Sequence, residues 1–514
     1  MEAADTSELN SQVQAPTAGL GRKLTFGFAA QGVGLVSSVL TTPIVLRQMG
    51  AEGYGLVAFA AALQAWMLVL DLGVVPVLAR QLSRFRGGAI GRDDAASLLL
   101  ASETIFLTTG AMTFIAFLLG IRWISTLWLG PTSLPEHVLT VSLLLIAGLL
   151  VLRWVSALYQ AALSGLEQQG AVYAVTSGGT VLRNLAGVGL LLFVSRSPPL
   201  FFGLNLILVF AEVLISRNLL ARSVSFKGAS LQRGWALLRT EFHFATGLVV
   251  SSLVGTAIYQ ADKLTLSHTL SLAEYGLFGL VATVCAGIAL VVPPLVQAFQ
   301  PRLTMLLAQD RRAEFAHVYR LCVGVSFVVA IGLAGPIAAF PEWTVFVWTG
   351  DRQVANHLAP ILMLYAPGAG IAAYLFTPAL LQYARGVMRL HVAGYCIFGA
   401  VWIPATVWAA LAFGAIGTAS VWLAGNLLYL AIWVPLVHRN LLARSERRGL
   451  DSGVWVRGVA LGALLAGLRI ALAGVTGRLP ELALLGVVSL FVMTLATVSF
   501  GETRRALGAT IAGA

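Results

Sequence analysis

Four basic side chains, Arg153, Arg183, Lys263 and Arg469, sit inside apolar stretches long enough to cross a bilayer. A charge at the bilayer centre costs roughly 2.5–3.5 kcal/mol on insertion scales, so such groups face a cavity or partner one another. A guanidinium presents a planar fork of donors, and two forks on adjacent helices can hold a diphosphate by charge-assisted hydrogen bonds. Arg153 is followed at three, seven and eleven residues by Ser156, Gln160 and Ser164, which places all four on one helical face. Thr176, Thr180 and Arg183 form a second polar stripe, with Ser177 and Asn184 beside it. Ser252, Thr256, Tyr259 and Lys263 form a third, at offsets of zero, four, seven and eleven. Arg153, Arg183, Lys263, Gln160, Asn184 and Tyr259 are therefore the candidate substrate-binding residues.

The carboxylates Asp71, Glu103 and Glu212 lie in other apolar stretches, and Asp262 adjoins Lys263. They can bind a coupling proton or cation, or they can serve as counter-ions that pair Arg153 and Arg183 and only fix the bundle. Asp262 is rotated about 100° from Lys263 on a helix and need not pair with it, since both can instead snorkel to the outer interface. A milder stripe of Gln31, Gly34, Ser38 and Thr41 suits a sugar path or close helix packing.

The elements that must position these groups are fourteen apolar spans, at about 24–46, 54–79, 95–120, 137–164, 171–194, 199–220, 242–267, 273–299, 316–340, 355–382, 388–412, 415–438, 455–476 and 480–500. Each exceeds or approaches the roughly 20 residues a helix needs to cross about 30 Å of hydrocarbon. Of the 33 Lys and Arg, twenty-four fall at the termini, on the even-numbered connections or at the span ends beside them, five on the opposite connections and four deeper within spans. Cytoplasmic connections retain positive charge, so both termini are expected in the cytoplasm. Composition agrees: 58% hydrophobic residues and 11% charged, against roughly 25% charged in soluble domains. The net charge of +11 reads as topogenic charge beside anionic headgroups; it is dispersed over many loops without a nucleic-acid motif, so no nucleic-acid partner is expected.

No signal peptide is expected, because the first 20 residues are polar. Cys285, Cys322 and Cys396 fall inside apolar spans as small hydrophobes, and neither a metal cluster nor a disulfide framework is indicated. Trp123, Trp128, Trp343 and Trp348 near span ends suit an interfacial belt. The stretch 341–353 is the outer loop best able to act as a lid, and Pro43, Pro76, Pro293, Pro294 and Pro404 can bend helices.

A Tyr-Gly-Leu triplet recurs 221 residues apart, at Tyr54-Gly55-Leu56 and Tyr275-Gly276-Leu277, each preceded by Ala-Glu and each opening the second helix of a lobe. That spacing suggests two six-helix lobes in parallel orientation. The expected architecture is an all-α polytopic membrane protein with a tail at 1–22, a six-helix lobe at 23–222, an inter-lobe linker at 223–241, a second six-helix lobe at 242–440, a loop and additional helix pair at 441–500 and a tail at 501–514.

The chain resembles the polysaccharide-transporter family of the multidrug, oligosaccharidyl-lipid and polysaccharide exporter superfamily. The residues that carry the resemblance are Gly50-Ala51-Glu52-Gly53-Tyr54-Gly55-Leu56, Leu70-Asp71-Leu72-Gly73, Ala162-Leu163-Ser164-Gly165-Leu166-Glu167 and Ala261-Asp262-Lys263-Leu264. It covers about residues 20–440, and the last two helices look like the additional pair of many members. The resemblance implies two bundles around a cavity that opens to one side at a time, and a flippase rather than an enzyme. The implied cargo is an undecaprenyl-diphosphate-linked oligosaccharide for O-antigen or exopolysaccharide synthesis, crossing the bacterial inner membrane. A polysaccharide polymerase or chain-length regulator is among the partners open to it. Ion-gradient coupling is implied, and the absence of a Walker sequence fits a chain with no cofactor. Two other functions compete. An ion-coupled multidrug exporter should have a more acidic cavity, and a membrane polysaccharide polymerase or ligase should have a larger outer loop.

Overall fold

The computed structural model describes residues 17–67, 73–224, 228–447 and 450–501, with side chains described from residue 32 and again from 252 after a gap at 241–251. All described secondary structure is helical. The chain is a multi-pass membrane protein. Among the described residues, ten segments are long and apolar enough to cross a membrane. Large apolar side chains on its surface, Leu119 and Phe193 among them, are more than four-fifths exposed, which suits a protein solvated by lipid.

Two compact units divide the chain, residues 1–249 and 250–514. In the first, α1 (Thr17–Met67) is followed by α2 (Val74–Arg86), α3 (Arg92–Trp123, prolonged by a π turn at Ile124–Trp128), α4 (Glu136–Gly165), α5 (Gln169–Phe193) and α6 (Pro198–Ser223). The long α1 contains the first expected span and the first half of the second, which resumes in α2, and is broken at Gly50, where φ 75° and ψ 173° interrupt the helix. Only glycine enters that region cheaply, which explains the Gly-rich start of the first motif. Asp71 and most of Leu70-Asp71-Leu72-Gly73 lie outside the described residues, as does the side chain of Gln31.

The motif ending α4 is a helix crossing. A Cβ on Gly165 would stand 2.4 Å from the Ala79 carbonyl oxygen, so glycine permits the contact with α2. Ser83 donates to the Gly165 carbonyl at 2.9 Å, and Arg86 reaches both the Leu166 carbonyl and Glu167. The helix α4 packs against α2, α3 and α6, while α1 packs along α5.

Helix α7 (Leu231–Thr269) contains the boundary between the units. The second unit continues with α8 (Leu272–Gln297), α9 (Gln300–Ala308), α10 (Arg312–Ala339), α11 (Pro341–Thr349), α12 (Arg352–Tyr374), α13 (Phe376–Ala384) and α14 (Met388–Leu428). A π turn at Tyr429–Trp433 leads into α15 (Val434–Leu441), α16 (Arg444–Arg447), α17 (Leu450–Ala471) and α18 (Arg478–Ser499). Gly414, at φ 59° and ψ −141°, folds α14 into a hairpin that contains the expected span 388–412 and the start of 415–438, which continues through the π turn into α15. The second Tyr-Gly-Leu opens α8, whose N-cap Ser271 accepts a hydrogen bond from the Glu274 backbone N–H at 3.2 Å.

The stretch expected as an outer lid is instead mostly helix α11, packed against the last two helices. Phe340 and Trp343 share a core with Leu465, Val488 and Val492. Arg469 donates to Glu342 and to the Ala339 carbonyl, and Arg478 donates to the Val347 carbonyl. Trp343 is therefore buried rather than part of an interfacial belt, whereas Trp123 is half-exposed as that belt requires.

Candidate functional site

In the first unit Arg183, on the polar stripe of α5, meets a carboxylate from α6, and Tyr159 of α4 meets one from α3. Arg183 pairs with Glu212 through Nη1, while its Nη2 donates to Thr180 Oγ1 at 2.9 Å. The pair is deeply enclosed, with the two side chains 7% and 13% exposed. Gly179 makes the approach possible, since a Cβ there would fall 2.1 Å from Glu212 Oε1.

Glu103 serves a different partner set. It accepts from Tyr159 Oη at 2.5 Å and from Arg217 Nε at 2.8 Å, which ties α3 to α4 and α6. Asn184 donates to both Ser37 and Ser38 Oγ at 2.9 Å, so it fastens α5 to α1. Gln160 donates to Ser156 Oγ at 2.9 Å along its own helix.

Arg153 is left over from this pairing. It is half-buried on α4, close enough to Arg183 for the two charges to repel, and it makes no hydrogen bond or ion pair among the described residues. Of the carboxylates read as possible counter-ions for Arg153 and Arg183, Glu212 pairs with Arg183, Glu103 does not reach Arg153, and Asp71 lies outside the described residues. The cause is geometric, because Glu103 is occupied by Tyr159 and by Arg217 from the end of α6.

In the second unit Lys263 and Asp262 do pair, although their 100° offset does not require it. Lys263 Nζ lies 3.0 Å from Asp262 Oδ1, 2.7 Å from the Tyr259 carbonyl and 3.1 Å from Tyr365 Oη, while Tyr365 donates to Asp262 Oδ2 at 2.6 Å. The long lysine stem bends back over its own helix and closes the angular gap. Asp262 is buried, so neither group snorkels as a pair at the interface. Arg469 is neutralised by Glu342. Of the four basic residues within spans, Arg153 alone has no carboxylate partner among the described residues.

Tyr259 joins this network through its carbonyl, while its ring lies in the wall of a cavity of about 190 Å³ bounded by α7, α12, α13, both arms of the α14 hairpin with its π turn, and the start of α15. The sequence reading missed the cavity's other residues. Their signal was present: His391, Tyr395, Phe398 and Trp402 recur at zero, four, seven and eleven, and Trp422, Tyr429 and Trp433 at zero, seven and eleven. Among the described residues no group of His, Cys, Asp and Glu is arranged to hold a metal.

No protein-family model matches the chain, and no curated protein sequence does. Solved structures do match. A multidrug resistance MATE family transporter of the MOP superfamily in an inward-facing conformation superposes with a TM-score of 0.66 at 10% identity, over 81% of this chain and 98% of its own. The chain shares the fold of these solved structures. The MATE multidrug transporter DinF-BH, solved in complex with rhodamine 6G, gives 0.62 at 17% identity over 83% and 96%. The lipid II flippase MurJ in an inward closed conformation gives 0.66 at 12% identity, over 92% of this chain and 97% of its own. A match over 92% of 514 residues necessarily includes part of the chain beyond residue 440, where α16, α17 and α18 lie.

Proposed function

We propose that this chain is a flippase that carries an undecaprenyl-diphosphate-linked oligosaccharide across the bacterial inner membrane, by ion-gradient-coupled alternating access, for O-antigen or exopolysaccharide synthesis. The observation that carries the reading is Arg153. A half-buried guanidinium without a carboxylate partner among the described residues is costly inside a bilayer unless an anion reaches it, and a diphosphate offers bidentate oxygens to that fork. Arg183, held by Glu212, shapes the local field rather than offering a free fork.

The fold match to a lipid II flippase supports the same cargo class, and it extends over more of the chain than the matches to the two multidrug transporters. The repulsion that an unpaired arginine exerts on cationic drugs also weighs against the exporter alternative. The test is translocation of undecaprenyl-diphosphate-linked oligosaccharide by the reconstituted protein, with and without an imposed proton gradient. Gradient-sensitive movement that Arg153→Ala removes supports the reading. Export of rhodamine 6G in place of the lipid, with Arg153→Ala unimpaired, overturns it.

A further inference from the structure

The enclosed carboxylates Glu103, Glu212, Asp262 and Glu481 are each held by a basic side chain. A proton that binds any of these four must first displace a cation. Imidazole is the other group that changes charge between pH 5 and 8, and two of the described histidines are buried, both in the second unit. His391 packs edge to face on Tyr395 at 4.6 Å, and its Nδ1 has no hydrogen-bond partner among the described residues. His438, 1% exposed, is bonded at both nitrogens.

Its Nδ1 lies 2.6 Å from Asp451 Oδ1 at the start of α17, and its Nε2 lies 2.8 Å from Tyr319 Oη on α10. The three side chains therefore link α10, α15 and α17. They also run from surface to core, since Asp451 is 31% exposed and Tyr319 is fully buried. The π turn at Tyr429–Trp433 immediately precedes α15, and such interruptions of helical register are frequent at functional positions.

These partners fix the tautomer. A carboxylate only accepts, so Nδ1 carries the hydrogen, and in the neutral ring Nε2 is then a bare acceptor to which Tyr319 donates. A proton taken from solvent forms an Nε2–H bond, while Tyr319 keeps its own proton. Nε2 becomes a donor, and the Tyr319 O–H has to turn away from it. The partner of that hydroxyl among the described residues is His438, so turning strands a buried donor, which is costly. At the other nitrogen the bond to Asp451 becomes an ion pair and strengthens. One proton thus weakens the hold of α15 on α10 and tightens its hold on α17.

The other titratable groups around the ring are few. Cys322 of α10 and Tyr374 of α12 lie near Tyr319 without a hydrogen bond to it. Glu446 of α16 and Arg385, which follows α13, face each other at 3.9 Å, and Tyr383 of α13 packs on His391.

We propose that His438 is the seat of the coupling proton, and that proton uptake there releases Tyr319 and loosens α10 from α15. The coupling role rests on the flippase reading, and the proton site does not.

The test is nitrogen NMR of the full-length, histidine-labelled protein in lipid nanodiscs from pH 8 to pH 5, with the His438 signal identified by its loss in His438→Gln. The ring should carry hydrogen on Nδ1 alone at the alkaline end and on both nitrogens at the acid end. Asp451→Asn should move the midpoint down by about one to three pH units, as loss of a neighbouring opposite charge does. Hydrogen exchange over residues 312–322, corrected for its intrinsic pH dependence, should quicken as His438 charges. In Tyr319→Phe, which keeps the ring without the hydroxyl, that pH step should vanish. Thermal unfolding confirms that each variant is folded. Should His438→Gln fail to fold, the shift in Asp451→Asn identifies the signal and Tyr319→Phe decides the rest. A ring that stays neutral down to pH 5 overturns the proton site, and charging that leaves exchange over α10 unchanged overturns the release. In reconstituted vesicles His438→Gln should remove the response of flux to an imposed proton gradient, and flux that still answers the gradient overturns the coupling role. A His438 that titrates as stated in a protein that moves no lipid-linked oligosaccharide would sink the flippase reading and leave the proton site standing.

Discussion

Glu212 reaches Arg183 across the space left by the missing side chain of Gly179, and the resulting ion pair lies buried between α5 and α6. Two interior charges attract strongly, yet their desolvation offsets much of the gain, so the pair is more costly to break than valuable to make. Removing one partner strands the other.

Arg183→Ala and Glu212→Ala should each destabilise the protein by about 3–5 kcal/mol, because each leaves an uncompensated buried charge. The double substitution should recover most of that loss. Thermal unfolding in detergent and abundance in the membrane fraction measure both. Gly179→Ala should behave like a single substitution, since its Cβ would meet Glu212 Oε1 at 2.1 Å. A fully stable Arg183→Ala would mean that the pair is dispensable. Loss of transport in that variant does not by itself identify a substrate contact.

Arg153 separates the two roles. Arg153→Ala removes no hydrogen bond or ion pair among the described residues and relieves repulsion with Arg183, so stability should be unchanged or slightly raised. Transport should nevertheless fall at least tenfold. Arg153→Lys keeps the charge but not the bidentate fork and should retain partial activity. Flux measured against equal amounts of folded protein is the check, and wild-type flux in Arg153→Ala would remove the residue from the cargo path.

The helices were legible because twenty apolar residues in a row have few other fates. The break at Gly50 was legible too, since the motif Gly50-Ala51-Glu52-Gly53 supplies the residue that positive φ requires. The partners were not. Glu103 and Arg217 are 114 residues apart and Arg183 and Glu212 are 29 apart, and no periodicity says which of several carboxylates meets which cation. Helical angle also misled: it placed Asp262 and Lys263 on different faces, but a flexible lysine is bound by reach rather than by the direction of its Cβ. The cavity beside Tyr259 escaped notice because tryptophan in an apolar span suggests an interface, although the recurrence of Trp422, Tyr429 and Trp433 on one face pointed inward.

Tyr365 and Lys263 share the burial of Asp262, with Tyr365 donating at 2.6 Å. Tyr365→Phe should cost about 1.5–3 kcal/mol by removing a hydrogen bond to a charged acceptor. Lys263→Met should cost more, because it leaves Asp262 without its counter-ion, and adding Asp262→Asn should restore much of the loss. Unfolding midpoints of the three variants test the order. If Lys263→Met proved harmless to stability yet abolished flux, Lys263 would return to the substrate path.

Glu481, at the start of α18, is completely buried, and its bonded partner is Arg352 at the start of α12. The same guanidinium lies 3.7 Å above the ring of Phe346 on α11, so one side chain joins α11, α12 and α18. The other carboxylate oxygen, Oε2, has no partner among the described residues, which makes Arg352 the support on which a buried charge depends. Arg352→Ala should therefore loosen α11 and the start of α18 together. Glu481→Gln should rescue it by removing the charge while keeping the shape. Hydrogen exchange resolved to residues 341–353 and 478–490 is the measurement. Wild-type exchange should be slow over α11, as its hydrogen bonds and shared core require. It should quicken in Arg352→Ala and slow again in the double variant. Fast exchange over α11 in the wild type would restore the lid reading of this stretch and remove the role assigned to Arg352.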